Sequence, residues 1–137
     1  MTAFWRVPAG AVAVCEIYEL FEHSGICTGE QQIIELHGSG LVRVVGAERF
    51  LHGRSGDWID MITDRHGRIL SSDACVQRAL SMIYQQVAYD VIDFNCHRFT
   101  FYCVSGQWKA ITSFYDLKIA LSDYYRTDIK LLRLRSN

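Results

Sequence analysis

One cysteine follows an asparagine at a position where a helix is expected to begin. Asn95 precedes Cys96 in the segment DFNCHRFTFYC. An N-cap asparagine would place the sulfur of Cys96 near unpaired backbone N–H groups and the positive end of the helix dipole. Those groups favour thiolate over thiol, lowering the pKa of a cysteine from its free value of about 8.5, so Cys96 is a candidate nucleophile. The same groups could form part of an oxyanion hole.

A nucleophilic cysteine needs a base, and the base needs a partner that orients it. The segment EHSGICTGEQQIIELHG offers His23 on one predicted strand and Glu35 and His37 on the next. If the connecting loop has three residues (29–31) or five, Gly25 lies opposite Glu35 with room for polar side chains to meet, and His23 shares a face with Glu35. A two-residue loop would place His23 and Glu35 on opposite faces.

The remaining histidines and cysteines have simpler interpretations. His97 adjoins Cys96, but side chains at i and i+1 of a helix point about 100° apart, so we expect no proton transfer from His97. Apolar surroundings predict inert, buried thiols at the other cysteines: Cys15, Cys27, Cys75 and Cys103. A metal site using Cys96, His97 and His23 is an alternative, although no paired ligand spacing supports it.

Composition predicts a single globular domain. The 137 residues are 50% hydrophobic, 21% charged and 12% aromatic, with a formal net charge of −1. This balance predicts no nucleic-acid partner, and the apolar run 9–15 is too short for a membrane span and lacks a signal peptide's basic leader. Five cysteines are an odd number without zinc-type spacing, which fits a reducing, cytoplasmic compartment.

Strands in the first half of the chain must carry the histidine and the acid. Alternating or β-branched runs, separated by glycine-containing turns, predict strands at 11–17, 24–28, 32–36, 41–45 and 58–63. A final strand is expected near 129–134, after the helices. Strands followed by helices predict an α+β domain with an antiparallel sheet.

Helices in the second half must carry the cysteine. Apolar residues at helical spacing behind Ser72 predict a helix over about 72–86, and a second runs from Asn95 to Gly106. A third begins at the capping-box pattern Ser113-Phe-Tyr-Asp116. Its inward-facing residues are expected to be Leu117, Leu121 and Tyr124.

Taken in order, these residues resemble the lecithin:retinol acyltransferase-like family, a circularly permuted branch of the papain-like superfamily. The resemblance covers most of the chain and rests on these matches: Pro8-Ala-Gly10, His23–Gly29, Ile33–Leu36, Arg78–Ser81, Tyr89, Asn95-Cys96, Phe99 and Gly106. The family usually has Asn-Cys-Glu-His-Phe, whereas here His97 and Arg98 replace the Glu-His pair. Two basic residues would favour a thiolate at Cys96 or contact an anionic substrate.

The resemblance implies one permuted papain-like domain over residues 1–137, acting as a cysteine hydrolase or acyltransferase. By this resemblance Cys96 forms a thioester acyl-enzyme, His23 is general base and later acid, and Glu35 orients the imidazole, with His37 as the alternative orienter. The substrate would be an amide or ester of a small-molecule, lipid or peptide acyl group, and no metal or organic cofactor is implied.

Two further expectations concern substrate and activity. The C-terminal stretch DIKLLRLRSN is too short and too charged to span a bilayer, so acyl transfer from a phospholipid is left open but not indicated. A papain-like binding module without activity is the alternative function.

Overall fold

A six-stranded antiparallel sheet forms the centre of the computed structural model, which describes residues 6–17, 21–51, 58–88 and 95–135. The strands are β1 (Val12–Ile17), β2 (Phe21–Cys27), β3 (Gln32–Leu36), β4 (Val42–Gly46), β5 (Trp58–Thr63) and β6 (Lys130–Arg135), in the order β4-β3-β2-β1-β5-β6. The helices are α1 (Ala47–Phe50), α2 (Asp73–Ser81), α3 (Cys96–Ser105) and α4 (Phe114–Tyr125). The predicted α+β class is confirmed, whereas Tyr89 lies outside the described residues.

Apolar side chains cover both faces of the sheet, following the two-residue period of its strands. One core contains even-numbered residues of β1 to β3, such as Val14, Ile26 and Ile34, packed with buried residues of α2, α3 and α4. The other contains odd-numbered residues of the same strands together with Phe50 of α1. Helix α3 therefore packs along β2, the strand that carries His23.

The hairpin between β2 and β3 has the odd register predicted from its sequence. Ile26 pairs with Ile34 and Cys27 pairs with Ile33. The Thr28 amide closes the loop by donating to the carbonyl of Gln32 at 3.0 Å. His23 and Glu35 consequently have the same parity and lie on the same side of the sheet. Strand β2 begins earlier than predicted because it pairs with β1, where His23 lies opposite Cys15.

Helix α2 is shorter than its apolar spacing predicted. It ends at Ser81, and residues 84–87 pair with residues 40–42 at the start of β4. The Tyr84 amide donates to the Val42 carbonyl at 2.7 Å, and the Val87 amide donates to the Gly40 carbonyl at 2.8 Å. Tyr84 has a φ of 67°, which ends the helical path. Pairing with a distant strand therefore overrides the local helical pattern.

Helix α3 has the ends that its sequence predicted. Asn95 is the N-cap, and Gly106 is the C-cap with a φ of 79°. Arg78 of α2 reaches across to this end, where its Nη1 donates to the carbonyls of Cys103 at 2.9 Å and Val104 at 3.1 Å. Both ends of the helix that begins with Cys96 are therefore fixed by side-chain or backbone hydrogen bonds.

Helix α4 begins after Ser113 as predicted, and the amide of Asp116 donates to the Ser113 hydroxyl at 3.0 Å. Leu117 and Leu121 are buried, as expected. The prediction for Tyr124 is wrong, because the residue is 48% exposed, although its ring makes a T-shaped contact with that of Phe101 on α3. In the described part of the chain, no helix has the length and apolar character needed to cross a bilayer.

Candidate active site

The N-cap of α3 fixes the position of Cys96. The Asn95 side-chain oxygen accepts the Arg98 amide at 2.9 Å, while its Nδ2 donates to the carbonyl of Ile111 at 2.7 Å. Asn95 thereby joins the start of α3 to the chain that leads into α4. Cys96 is the first helical residue and is only 6% exposed. Its sulfur thus lies at the positive end of the helix, largely shielded from solvent.

A buried carboxylate orients the imidazole of His23. Glu35 Oε1 lies 2.9 Å from His23 Nε2, and Glu35 Oε2 accepts the Nε–H of Arg43 at 2.8 Å. Glu35 is fully buried, so both oxygens depend on these partners. Burial favours the neutral acid, but His23 and Arg43 outweigh it and lower the pKa of Glu35. Glu35 is therefore a carboxylate that fixes the ring of His23.

The sulfur of Cys96 meets the other side of the same imidazole. Cys96 and His23 share a side-chain hydrogen bond. With Nε2 engaged by Glu35, Nδ1 is the ring nitrogen left to bond the sulfur. The structure therefore brings together Cys96, His23 and Glu35, three residues that are far apart in the sequence.

The charges of this pair follow from its contacts. Burial alone raises the pKa of a thiol, but hydrogen bonds from His23 and His97, together with the charge of His23, hold the pKa of Cys96 well below its usual value. Burial alone lowers the pKa of an imidazole, but the Cys96 sulfur and Glu35 raise the pKa of His23. The two shifts agree in direction, and both favour a thiolate–imidazolium pair.

Three other buried cysteines show what burial does without such partners. Burial raises the pKa of Cys75 to about 12, and it raises the pKa of Cys27 and Cys103 further. Cys15 is also buried, and all five cysteines are free thiols. Cys96 therefore differs from the equally buried Cys27, Cys75 and Cys103, in which the charged form is disfavoured.

Packing holds the His23 ring from the side. The ring of Phe50 lies 5.0 Å from it, centroid to centroid, at 35°. Gly25 lies on the same side of the sheet, where a Cβ would stand 2.7 Å from Ile33 Cγ2 and 2.8 Å from the carbonyl oxygen of Ile34. The expectation that Gly25 leaves room for polar groups is wrong, because neighbouring apolar and backbone atoms fill that space. Glycine instead permits the close approach of β3 and α1.

His37, the alternative orienter, has a different local role. Its Nδ1 lies 2.9 Å from the hydroxyl of Ser39 and accepts the Ser39 amide at 3.1 Å. These bonds hold the turn between β3 and β4. In the described geometry, the carboxylate that contacts His23 is that of Glu35.

His97 lies closer to the sulfur than its neighbouring position in sequence suggested. It shares a side-chain hydrogen bond with Cys96, and its Nδ1 lies 2.9 Å from the hydroxyl of Ser24 on β2. Because α3 starts at Cys96, no preceding helical turn blocks the imidazole from folding back toward the sulfur. The angle between adjacent side chains on a helix therefore does not prevent His97 from reaching the Cys96 sulfur.

Two contributors to the site were missed in the sequence. Arg43 lies directly opposite Glu35 in the β3–β4 ladder. A symmetric hairpin around the Gly38-Ser39-Gly40 turn would have indicated that pair. Ser24 follows His23 and faces the opposite side of the sheet, toward α3, so only the packing of α3 across β2 reveals its contact.

Comparisons with known proteins identify no family. No protein-family model matches the chain, and no curated protein matches it. Across the described residues, no group of three or more His, Cys, Asp or Glu side chains has an arrangement suited to a metal ion.

Proposed function

We propose that this protein is a cysteine-dependent hydrolase or acyltransferase that acts on an amide or ester bond through a thioester acyl-enzyme. The observation that carries this proposal is the Cys96 sulfur against a histidine that is itself bound to a buried carboxylate. These contacts provide a nucleophile, a base and an orienting group, the parts that a thiol acyl-transfer site needs.

Acylation would begin from the thiolate–imidazolium pair. The Cys96 sulfur attacks the carbonyl carbon of the substrate and forms a bond to it. The π electron pair of the C=O bond moves onto the carbonyl oxygen. As the tetrahedral intermediate collapses, His23 gives its Nδ1 proton to the departing amine or alcohol, leaving a thioester on Cys96 and a neutral imidazole. Glu35 remains a carboxylate throughout and holds the ring through Nε2.

Deacylation would reverse the roles. Neutral His23 takes a proton from water, or from an acceptor amine or alcohol, as that nucleophile attacks the thioester carbonyl. Collapse expels the Cys96 thiolate and releases an acid, amide or ester product, restoring the ion pair. The backbone N–H groups at the start of α3 are suitably placed to bind the intermediate oxyanion, since they lie at the positive end of the helix.

The arrangement also supports the proposed kinship with permuted papain-like proteins of the lecithin:retinol acyltransferase type. A histidine strand, an acid on the adjacent strand and a cysteine at a following helix start occur in the expected order. A thiol nucleophile with a histidine base suits an amide or ester bond, and small-molecule, lipid and peptide acyl groups are the proposed substrate classes.

A cytoplasmic location is part of the same proposal. All five cysteines are buried and free, including the reactive candidate Cys96. A reducing compartment would preserve a low-pKa thiol against oxidation.

A binding module without activity is the competing function, and the low exposure of Cys96 favours it. Limiting iodoacetamide at neutral pH distinguishes the two, with the adduct mapped by mass spectrometry. We expect selective labelling of Cys96 in the folded protein and at least a tenfold slower rate in His23→Ala. His66→Ala is the matched control, because His66 is exposed on a turn and should leave the rate unchanged.

Failure of Cys96 to react faster than the other four thiols, or indifference of its rate to His23→Ala, would refute the enzyme proposal. Incubation of the native protein with acyl esters, phospholipids and short peptides then identifies the substrate class. The expected product is an acyl mass increase on the peptide that contains Cys96, and this increase should be absent in Cys96→Ser.

A further inference from the structure

His97 is a buried imidazole with a defined partner on each side. It is only 6% exposed, and its ring packs 5.9 Å from that of Phe114. Its Nδ1 lies 2.9 Å from the Ser24 hydroxyl. Because Nδ1 is engaged there, Nε2 is the nitrogen available for the hydrogen bond that His97 shares with Cys96. The sulfur therefore has two imidazole partners, those of His23 and His97.

A chain of hydroxyl groups determines which nitrogen of His97 carries the proton. Ser24 Oγ lies 2.8 Å from the Thr100 hydroxyl, and both residues are fully buried. The Ser24 hydroxyl also lies 3.5 Å from the Cys96 carbonyl, and this longer contact competes only weakly for the Ser24 proton. Among the described residues the Thr100 hydroxyl makes no other hydrogen bond, so it is assigned as the donor to Ser24, and Ser24 in turn donates to His97 Nδ1. Nε2 must then be protonated in the neutral ring.

We propose that Ser24 and Thr100 hold His97 in the tautomer whose Nε2–H donates to the Cys96 sulfur, making His97 a second imidazole on the nucleophile. This inference rests on the proposed function of Cys96. His97 transfers no proton in this arrangement, since its Nδ1 accepts from a hydroxyl. Ser24 and Thr100 are positioning residues that act through His97.

The second donor differs from His23 in keeping its proton. His23 gives its proton to the leaving group and takes another from the incoming nucleophile, whereas His97 keeps its Nε2–H throughout. The Cys96 thiolate therefore has a second hydrogen bond both before attack and on its expulsion. Consistent with this role, the contact with His97 lowers the pKa of Cys96 alongside that with His23.

Other charged groups on the elements that form the site have partners of their own. Glu35 and Arg43 lie behind His23 on β3 and β4. Arg98 of α3 directs Nη2 to the carbonyl of Trp108, and Lys118 of α4 lies over the ring of Phe114. Substitutions at His97 leave all of these groups in place, so a shift in the Cys96 titration can be assigned to His97 itself.

Two conservative variants separate a donor at Nε2 from a merely structural side chain. His97→Gln can place its amide N–H₂ near the position of Nε2, whereas His97→Asn reaches only the position of Nδ1. The measurement is the pH dependence of Cys96 alkylation by iodoacetamide, with folding checked by circular dichroism. We expect His97→Asn to raise the low-pH midpoint by about one to two units, and His97→Gln to stay within about half a unit of the native protein.

Ser24→Ala provides an independent test, since it removes the hydroxyl that contacts His97 Nδ1 while both histidine side chains are kept. It should also raise the low-pH midpoint of Cys96 alkylation, but by less than His97→Asn does. Unchanged midpoints in both His97→Asn and Ser24→Ala, or equal shifts in His97→Asn and His97→Gln, would overturn the inference.

Failure of this inference is distinguishable from failure of the proposed function. A native midpoint near 8.5, the value of an ordinary thiol, would contradict the proposed function itself. A low native midpoint that depends on His23 but not on His97 would preserve the enzyme and remove only the second donor.

Discussion

Glu35→Gln tests how the carboxylate behind His23 controls the nucleophile. Glu35 is fully buried, and the distance of 2.9 Å from Oε1 to His23 Nε2 is a short hydrogen bond. Glutamine keeps the shape and an oxygen acceptor but removes the charge. The side chain of Arg43 is 26% exposed and can turn toward water, so the substitution isolates the interaction with His23.

The size of the effect follows from the hydrogen bond to a charged group. Such a bond contributes about 1.5–3 kcal/mol, and each 1.4 kcal/mol corresponds to about one pKa unit, so the pKa of His23 should fall by about one to two units. The direction of the change in thiolate fraction follows from the pKa shift of His23. Glu35 raises the pKa of His23, and its neutralisation therefore moves the proton from His23 back to Cys96. The thiolate fraction near neutral pH must decrease.

The assay is the rate of Cys96 alkylation by iodoacetamide near neutral pH, which follows the thiolate fraction of the coupled pair. In Glu35→Gln this rate should fall, because the neutral thiol–imidazole form then competes with the ion pair. Glu48→Gln is the matched control, because Glu48 is an exposed acid in the first turn of α1. A folded Glu35→Gln protein with an unchanged rate would refute the role assigned to Glu35.

Two stability predictions concern the residues that shape the site. Gly25→Ala should lower the free energy of unfolding in urea by about 1–3 kcal/mol, because the new Cβ would stand 2.8 Å from the Ile34 carbonyl. Gly38→Ala, with nothing within 4 Å of its Cβ, should change it little, and equal effects would contradict the packing argument. Asn95→Ala should cost about 2 kcal/mol or more, exceeding Ser113→Ala at about 1 kcal/mol, since the side-chain oxygen of Asn95 caps α3 and its Nδ2 also donates to the Ile111 carbonyl. Equal losses in these two variants would show that the second bond contributes nothing.

Local signals made α3 and the β2–β3 hairpin predictable. Asn95 and Gly106 define the ends of α3 through interactions within a few residues of the chain. The sequence limited the β2–β3 connection to a few loop lengths, and the odd register among them is the one that puts His23 and Glu35 on the same side.

Contacts between distant segments limited the remaining predictions. Helix α2 stops early because residues after Ser81 pair with the chain at the start of β4. The sequence near Ser81 contains no signal for a contact with that distant segment. The approach of His97 to Ser24 depends on α3 lying across β2, a separation of 73 positions. Periodicity identifies the apolar faces of elements, but it does not specify which polar side chains meet after they pack.

Thiolate absorbance near 240 nm tests the central claim most directly, because it observes Cys96 without a reagent or a substrate. The spectrum of the native protein minus that of Cys96→Ser is recorded from acid to alkaline pH. The thiolate–imidazolium pair predicts that the signal of one thiolate is already complete at about pH 6, well below the range of an ordinary cysteine. A signal that appears only with a midpoint near or above about 8.5 would contradict the account.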